Sequence, residues 1–304
     1  MLPEWFYWGF NMSITASITG LLIMLFRRIK KIPGRVAVFL WAIPLLRMLF
    51  PIGLNSRYSL MSLLSKFATK TITVFQPVEN VDFSMTNYLG TAETYFPITY
   101  KTNVLENIFS VASAVWIVGV LAILLVLIVT YCRTMRESRD AKHLRDNIFL
   151  SEKIGFPAVY GIIKPKIILP ASYKDKELEL ILAHENTHIR SLDNLWRLLA
   201  IMITSVHWFN PFCWMFLRKF LLDIELACDE RVLAKLPSDR TKEYAHLLLE
   251  SESGTNAFAS TLGSSKIRKR IENILVFKRL TWFSLVAFTI LIGVIFYTLL
   301  TNAG

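Results

Sequence analysis

The spacing that points most directly to chemistry is that of His184 and His188, two histidines four residues apart. Glu185 directly follows the first of them. Residues at positions i and i+4 share one face of a helix, so both imidazoles can bind one ion. A catalytic zinc ion accepts neutral imidazole nitrogens and keeps one position open for water. Glu185 would lie beside that position and can take the proton of the water. The alternative is an amphipathic helix that carries two histidines by chance.

A second stretch, residues 225–229, supplies the carboxylate that such a site needs. Glu225 and Asp229 are again four residues apart, so they share a helix face. We assign Glu225 as the third zinc ligand, because two histidines and a glutamate form a zinc ligand set. We assign Asp229 as the carboxylate that supports one of the histidines. The alternative is an exposed acidic face, and Cys228, at a different angle on the same helix, is interpreted as packing.

The composition indicates a membrane protein. Of the 304 residues, 54% are hydrophobic, and 8 tryptophans and 21 phenylalanines fit the aromatic enrichment at bilayer interfaces. A net charge of +11 could suggest nucleic-acid binding, but the basic residues cluster next to apolar segments. That placement favours contact with anionic lipid. The three cysteines show no CxxC spacing and predict no disulfide framework.

Four apolar runs are long enough to cross a membrane, which takes about 20 residues. The first lacks a small-residue cleavage site and is interpreted as an anchor, not a signal peptide. Basic clusters follow the first and third runs and precede the fourth, as expected for cytoplasmic flanks. Both termini are therefore expected outside the cell, with the zinc domain inside. The runs are about residues 5–26, 36–54, 108–131 and 280–300.

The predicted fold class is a mainly α membrane protein, with an α+β zinc metallopeptidase domain between the third and fourth transmembrane helices. Residues 1–131 form the membrane region, with an extracellular loop at 55–107 whose first part, 58–67, could lie on the membrane surface. Residues 132–279 form the cytoplasmic zinc domain, and 280–304 form the C-terminal transmembrane helix. Arg47, inside the second run, is interpreted as packing within the bundle.

Within the zinc domain, short strands are predicted at 148–150, 158–163 and 165–170. The prolines of the last strand confine it to a sheet edge, where a peptide substrate could add as a further strand; a purely structural sheet is the alternative. Residues 195–217 are predicted to form two helices broken at Asn210 and Pro211, partly embedded but not crossing the membrane. His207 is interpreted as structural and not as a further ligand. The loop at 253–264 is a candidate for self-cleavage.

Four motifs in this order resemble those of the BlaR/MecR-type membrane metallopeptidases, the beta-lactam sensor-transducers of Gram-positive bacteria and their wider family. The resemblance covers nearly the whole chain, and the two zinc-site motifs in combination are its specific part. Arg270 and Ile271 before the last run fit it too. The motifs are Pro165-Lys166-Ile167-Ile168-Leu169-Pro170, His184-Glu185-Asn186-Thr187-His188, Trp208-Phe209-Asn210-Pro211 and Glu225-Leu226-Ala227-Cys228-Asp229.

The resemblance implies a gluzincin-like zinc endopeptidase held under the cytoplasmic leaflet of a bacterial cell membrane. Its histidine ligands correspond to His184 and His188, its base to Glu185, its glutamate ligand to Glu225 and its supporting aspartate to Asp229. In that family the active protease is linked to removal of a DNA-binding repressor. It is also linked to self-cleavage between the zinc domain and the last span.

The partners that follow are membrane lipid and a cytoplasmic protein substrate, for which a DNA-binding repressor is the candidate. A separate sensor protein and a homodimer are further candidates, and direct nucleic-acid binding is not expected. The sensor-transducers carry an extracellular penicillin-binding domain after the fourth span, whereas no Ser-x-x-Lys acylation motif follows the last run here. Covalent sensing of beta-lactams would therefore require either that the sequence is truncated or that a partner protein senses.

The same motifs also occur in other classes of protein, which this sequence fits less well. Metzincins need a glycine and a third histidine where Ser191 and Asn194 stand, which excludes them. Site-2-type intramembrane proteases need Asp-Gly after the Asn-Pro pair, where this chain has Cys213 and Trp214. An HtpX-like quality-control protease is the closest enzymatic rival. A membrane receptor or scaffold with structural zinc is the non-enzymatic one, although it would not need Glu185, and a transporter fits less well.

Overall fold

The chain folds into a helical membrane bundle joined to a smaller mixed region that carries the histidines. The computed structural model describes residues 2–28, 32–50, 55–56, 103–171, 175–253, 260–278, 281–300 and 302–303. Its helices in chain order are α1 (Leu2–Arg27), α2 (Gly34–Leu40), α3 (Ala42–Leu49), α4 (Asn103–Arg139), α5 (Asp175–Arg190), α6 (Asp193–Val206), α7 (Pro211–Lys235), α8 (Thr241–Ser253), α9 (Ser260–Val276) and α10 (Trp282–Leu300), with a 3₁₀ turn at Ser238–Arg240.

Three of the described helices are long and apolar enough to cross a membrane: Leu2–Arg27, Ile108–Arg136 and Trp282–Leu300. They correspond to the first, third and fourth predicted runs. The helix around the third run is longer than predicted, since α4 continues to Arg139. The apolar helices indicate a membrane protein.

The second predicted span is not one long helix in the described residues. It consists of α2 and α3, separated at Trp41, with Phe50 already extended. Pro44 lies in the first turn of α3, where its missing N–H is tolerated, and it removes the bond that would join the two helices. Together they rise roughly 24 Å, less than the roughly 30 Å of a bilayer core. The predicted single span at 36–54 is therefore not confirmed.

Arg47 in α3 packs inside the bundle, as predicted. Its side chain is buried, and its Nε donates a hydrogen bond to the carbonyl oxygen of Leu299 over 2.6 Å. This bond ties α3 to the last apolar helix, α10. A guanidinium that reaches a helix carbonyl in this way has a structural role.

A four-stranded mixed sheet precedes α5. Its strands are β2 (Lys142–Arg145), β3 (Ile148–Ser151), β4 (Ala158–Tyr160) and β5 (Lys166–Pro170), in the spatial order β2-β3-β5-β4. The prediction that the proline-flanked strand lies at an edge is wrong, because β5 pairs with both β3 and β4. Pro165 stands just before the strand and Pro170 at its end. Neither therefore removes a hydrogen bond from the middle of the ladder. Strand β4, which pairs with β5, is the edge strand on that side of the sheet. A separate two-residue pairing joins β1 (Asn55–Ser56) to β6 (Asn302–Ala303).

The apolar stretch at 195–217 forms a helical hairpin, and its predicted break is confirmed. Helix α6 ends at Val206 and α7 begins at Pro211. The side chain of Asn210 accepts a hydrogen bond from the backbone N–H of Phe212, which caps α7. Its Nδ2 donates to the hydroxyls of Ser13 and Ser17 in α1 at 2.6 and 2.7 Å. The tip of the hairpin is thereby held inside the bundle.

Two apolar cores flank α7. One joins α1, α3, α6, α7 and α10 within the bundle, and the other joins the sheet to α5, α7, α8 and α9. Most of the predicted extracellular segment, including the surface helix at 58–67, lies outside the described residues. So do residues 254–259 of the predicted self-cleavage loop, whereas residues from Ser260 onward are helical and not loop.

Candidate metal centre

The i, i+4 pairs of α5 and α7 face each other, and three donor atoms meet between them. The Nε2 atoms of His184 and His188 are 3.1 Å apart. Oε2 of Glu225 lies 3.7 Å from the first and 3.8 Å from the second. Ligands at zinc-typical distances in a tetrahedral site are roughly 3.3 Å from one another. Two imidazoles and one carboxylate at this spacing fit a single tetrahedral ion.

The ring of His184 is oriented by a chain of hydrogen bonds. Its Nδ1 lies 2.8 Å from the hydroxyl of Tyr244, and that hydroxyl donates to Oδ1 of Asp229 over 2.7 Å. The hydroxyl therefore accepts the Nδ1–H, and Nε2 keeps its lone pair for a metal. Asp229 lies where the sequence predicted, next to a histidine, but its direct distance to Nδ1 is 3.5 Å. Tyr244 connects the two groups.

The ring of His188 is oriented by Asp193, whose Oδ2 lies 2.6 Å from Nδ1. Burial disfavours the charged ring, but Asp193 and Cys228 outweigh it and raise the pKa of His188 to about 9. Asp193 reaches the ring because Leu192 adopts a left-handed conformation, with φ of 55°, between α5 and α6. That conformation is uncommon for a residue with a large side chain. It turns the chain back so that the first residue of α6 meets the last turn of α5.

Two arginines hold Glu225 and Asp229 in place. Nη2 of Arg197 donates to Oε1 of Glu225 over 2.5 Å. Arg270 donates from Nε and Nη2 to the two oxygens of Asp229, each over 2.8 Å, and its Nη1 lies 3.4 Å from Oε2 of Glu225. Burial raises the pKa of Glu225, but His184 and Arg270 outweigh burial and hold it well below its usual range. Glu225 is thus ionised, as a metal ligand must be.

Glu185 is buried beside the histidines and lines a cavity of about 230 Å³. Within the part of the chain that the structure describes, no side chain hydrogen-bonds or pairs with its carboxylate. The cavity is bounded by the edge strand β4 on one side and by apolar groups of α5 and α8 on another. These apolar groups are Ile181, Leu247 and Leu248.

Cys228 offers an alternative third donor, since its sulfur and one nitrogen of each histidine lie within 4.8 Å of one another. Its Sγ lies 3.5 Å from Nδ1 of His184, on the side of the ring that Tyr244 already occupies. Glu225 instead faces the Nε2 atoms of both rings. The geometry therefore favours Glu225 as the third ligand. Cys228 packs directly against His184, which is closer to the donors than its angle on the helix predicted.

Four residues around the donors were not assigned from the sequence: Asp193, Arg197, Tyr244 and, in this role, Arg270. Arg270 was noted only as part of the family resemblance, ahead of the last apolar run. Asp193 follows His188 by five residues, so a search for carboxylates near the histidines could have found it. Tyr244 is 60 residues from His184, and no local spacing indicates their contact.

Two buried histidines and a partly buried glutamate, on a chain with apolar helices long enough to cross a membrane, are typical of a membrane metallopeptidase. The model of the family BlaR1 peptidase M56 matches residues 7–274, and the chain belongs to that family. The resemblance to BlaR/MecR-type metallopeptidases is thereby confirmed. The family implies a peptidase that uses a metal, typically zinc.

Curated relatives agree with this assignment. The "Regulatory protein BlaR1" of Bacillus licheniformis is 25% identical over 234 residues, which are 66% of this chain and 39% of the relative. The "Methicillin resistance mecR1 protein" of Staphylococcus aureus (strain Mu50) is 30% identical over 147 residues, 45% of this chain and 25% of the relative. The protein of the same name from Staphylococcus epidermidis matches equally well. The chain thus spans well under half the length of these relatives.

Proposed function

We propose that this protein is a membrane-embedded zinc endopeptidase with a gluzincin-like site, formed by His184, His188 and Glu225. The observation that carries the proposal is the convergence of the two Nε2 atoms and the Glu225 carboxylate on one point. Each ring is fixed by a partner on its far nitrogen, Tyr244 for one and Asp193 for the other. A chance pair of histidines on a helix would not need this support.

The chemistry divides between the ion and the protein. A zinc ion held by these residues would supply Lewis acidity toward a peptide carbonyl and a water molecule. Glu185 takes a proton from the attacking water and passes it to the leaving amine, because its carboxylate is adjacent to the donors and is bound by no described side chain. Arg197 and Arg270 keep Glu225 ionised and pointed at the rings.

The substrate would be an extended peptide. Strand β4 forms the sheet edge beside the cavity, and its Ala158 and Val159 line the cavity wall. A peptide can pair with such an edge as an added strand while one side chain enters an apolar pocket. The wall formed by Ile181, Leu247 and Leu248 favours an apolar side chain next to the cleaved bond.

For the cellular role, we propose signal transduction by proteolysis at the cell membrane. The zinc domain would lie in the cytoplasm, in line with the basic flanks of the apolar runs. The target would be a cytoplasmic protein such as a DNA-binding repressor, together with the chain itself near residues 253–264. Relatives named for regulation and methicillin resistance support a role in an antibiotic response.

The decisive experiment compares wild-type membranes with membranes that carry Glu185→Gln. We expect the variant to keep its zinc and fold and to lose cleavage by at least roughly 100-fold, since a general base contributes about that much or more. New protein N-termini measured by mass spectrometry would report the substrates and any self-cleavage. Peptide cleavage that persists in zinc-loaded Glu185→Gln protein would refute the assignment of the base.

A further inference from the structure

A side chain of α6, that of Asn194, holds the edge strand β4 beside the metal centre. Its Nδ2 donates to the carbonyl oxygens of Val159 and Gly161, over 2.9 and 3.2 Å. The amide nitrogen of an asparagine carries two N–H groups, so both are committed to the edge strand. Asn194 directly follows Asp193, which orients His188. Two consecutive residues of α6 therefore hold a metal donor and the edge of the sheet.

The register of the sheet shows in which direction the main-chain groups of β4 point. The N–H of Ile167 in β5 donates to the carbonyl oxygen of Asn147 over 2.8 Å, on the side of β3. The residue opposite Ile167 on β4 is Val159. Because the N–H and C=O of one residue point to the same side of a strand, Ile167 and Val159 do not bond to each other. The main chain of Val159 therefore points outward, away from β5, which is also where Asn194 reaches its carbonyl.

The outward groups of β4 are thus only partly available to a peptide. Asn194 already occupies the carbonyl oxygens of Val159 and Gly161. The outward N–H of Val159, by contrast, has no acceptor among the described residues.

The position of this N–H suits a bound peptide. Val159 and Asn194 both line the cavity that the two histidines and Glu225 also line. An unpaired N–H at a sheet edge is the group to which an added strand bonds. A main-chain carbonyl of a peptide in the cavity can therefore accept the N–H of Val159.

We propose that Asn194 is a positioning residue for the peptide substrate, an inference that rests on the proposed peptidase function. Asn194 fixes β4 beside the metal donors, so that the N–H of Val159 donates to a main-chain carbonyl of the peptide. Because Asn194 occupies the outward carbonyls of Val159 and Gly161, the added strand ends at Val159. The substrate is therefore held by a short main-chain contact and by an apolar side chain.

The test uses the zinc-loaded full chain in nanodiscs and two hydroxamates, a group that binds zinc directly. One is the hydroxamate of acetyl-alanyl-alanyl-leucine, which has a peptide main chain. The other is 4-methylpentanohydroxamic acid, which has the same zinc-binding group and the same apolar side chain without the peptide. Calorimetry measures both dissociation constants. We expect wild-type protein to bind the peptide hydroxamate about threefold to tenfold more tightly, which is the value of one neutral hydrogen bond.

Two variants should abolish this preference and leave the binding of 4-methylpentanohydroxamic acid unchanged. Asn194→Leu removes both N–H donors at similar size. Val159→Pro removes only the outward N–H, and proline is tolerated where an edge strand does not need that group. Val159→Ala and Asn147→Leu are the matched controls and should keep the preference. The first retains the N–H, and the second loses an amide bond to Pro165 outside the lining of the cavity.

A metal-free measurement separates positioning of β4 from a general loss of structure. In zinc-free protein, hydrogen exchange at Ala158 and Tyr160, whose N–H groups point toward β5, should accelerate in Asn194→Leu but not in Asn147→Leu. Exchange in α7 should stay as in wild type.

Three results would overturn the proposal: equal binding of both hydroxamates by wild-type protein, a preference that survives in Asn194→Leu or Val159→Pro, or unchanged exchange in β4. Failure of the proposed function would look different, because wild-type protein would then bind neither hydroxamate. The role of Asn194 would be refuted together with it.

Discussion

Helix α7 carries acidic residues on two faces, buried except for the partly exposed Glu225, and the two faces serve different parts of the molecule. On the front face, Glu225 and Asp229 point at the histidines and the arginines of the metal centre. On the back face, Asp223 accepts a hydrogen bond from Nε1 of Trp41 over 2.6 Å and pairs with Arg27 at 2.7 Å. On both faces the acidic side chains lie against partners from other helices.

Glu230 completes the back face by binding the start of α2. It accepts hydrogen bonds from the backbone N–H groups of Gly34 and Arg35 at 2.7 and 3.2 Å. A carboxylate at a helix N-terminus satisfies unpaired N–H groups and complements the helix dipole. The approach is close, since a Cβ atom on Gly34 would lie 2.9 Å from the backbone nitrogen of Ala227. One helix is therefore a wall of the metal centre and an anchor for the membrane helices.

The difference between the two faces shows that a carboxylate packed against other helices is not necessarily a metal ligand. On the front face, Glu225 lies near the Nε2 atoms of both histidines, which can bind a metal, whereas Asp229 and the two back-face carboxylates face only donors. A metal can bind in the first arrangement, because carboxylate and imidazole atoms converge there. The second arrangement offers no acceptor nitrogen that could share a metal with the carboxylate. Variants on the two faces should therefore separate metal content from helix docking.

The largest expected effect comes from Glu225→Ala on the front face. It removes one of three proposed ligands and leaves Arg197 and Arg270 without their shared carboxylate. We expect the purified protein to lose its zinc in dialysis and to lose all cleavage. Metal analysis by mass spectrometry measures the loss. Cys228→Ser is the matched control, and it should retain zinc; the opposite pattern would make Cys228 the third ligand.

A smaller effect is expected from Tyr244→Phe, which removes only the hydroxyl between His184 and Asp229. The aromatic ring still packs, so the fold should persist. Loss of such a supporting hydrogen bond typically lowers metal affinity by roughly 10- to 100-fold. Competition with a zinc chelator measures this change. Tyr131→Phe, at an exposed site on α4, should leave affinity unaltered, and an equal affinity in Tyr244→Phe would show that Tyr244 does not orient the ring.

The parts of the site that were predictable depend on local periodicity. His184, Glu185 and His188 share a helix turn, and Glu225 and Asp229 share another, so i, i+4 spacing was enough to propose that they meet. The helix break at Pro211 was also predictable, since proline lacks the N–H that a continuous helix needs. These features are decided by chemistry within a few residues of each position.

The parts that were not predictable depend on packing between distant segments. Arg270 reaches Asp229 across 41 residues, and Glu230 reaches Gly34 across 196. No periodicity in the chain encodes such pairs. The central position of β5 was mispredicted for a related reason: a proline excludes a strand from a sheet interior only where its N–H is needed in the ladder.

The smallest expected effect comes from Glu230→Gln on the back face. Glutamine keeps the size of the side chain but removes its charge, so the N–H groups of Gly34 and Arg35 lose an ionised acceptor. Bonds to charged groups are worth about 1 kcal/mol more than bonds between neutral groups, and we expect the free energy of unfolding to fall by about 1–2 kcal/mol. Equilibrium unfolding in detergent, followed by circular dichroism, measures it.

The control for this variant is Glu272→Gln, because Glu272 forms an exposed i, i+4 pair with Arg268 on α9. Exposed pairs contribute only a few tenths of a kcal/mol, so this substitution should scarcely change stability. Zinc affinity should stay within about twofold of wild type in both variants, because neither residue touches a donor atom. A drop in zinc affinity in Glu230→Gln would mean that the docking of α2 positions Glu225, and the two faces of α7 would then form a single unit.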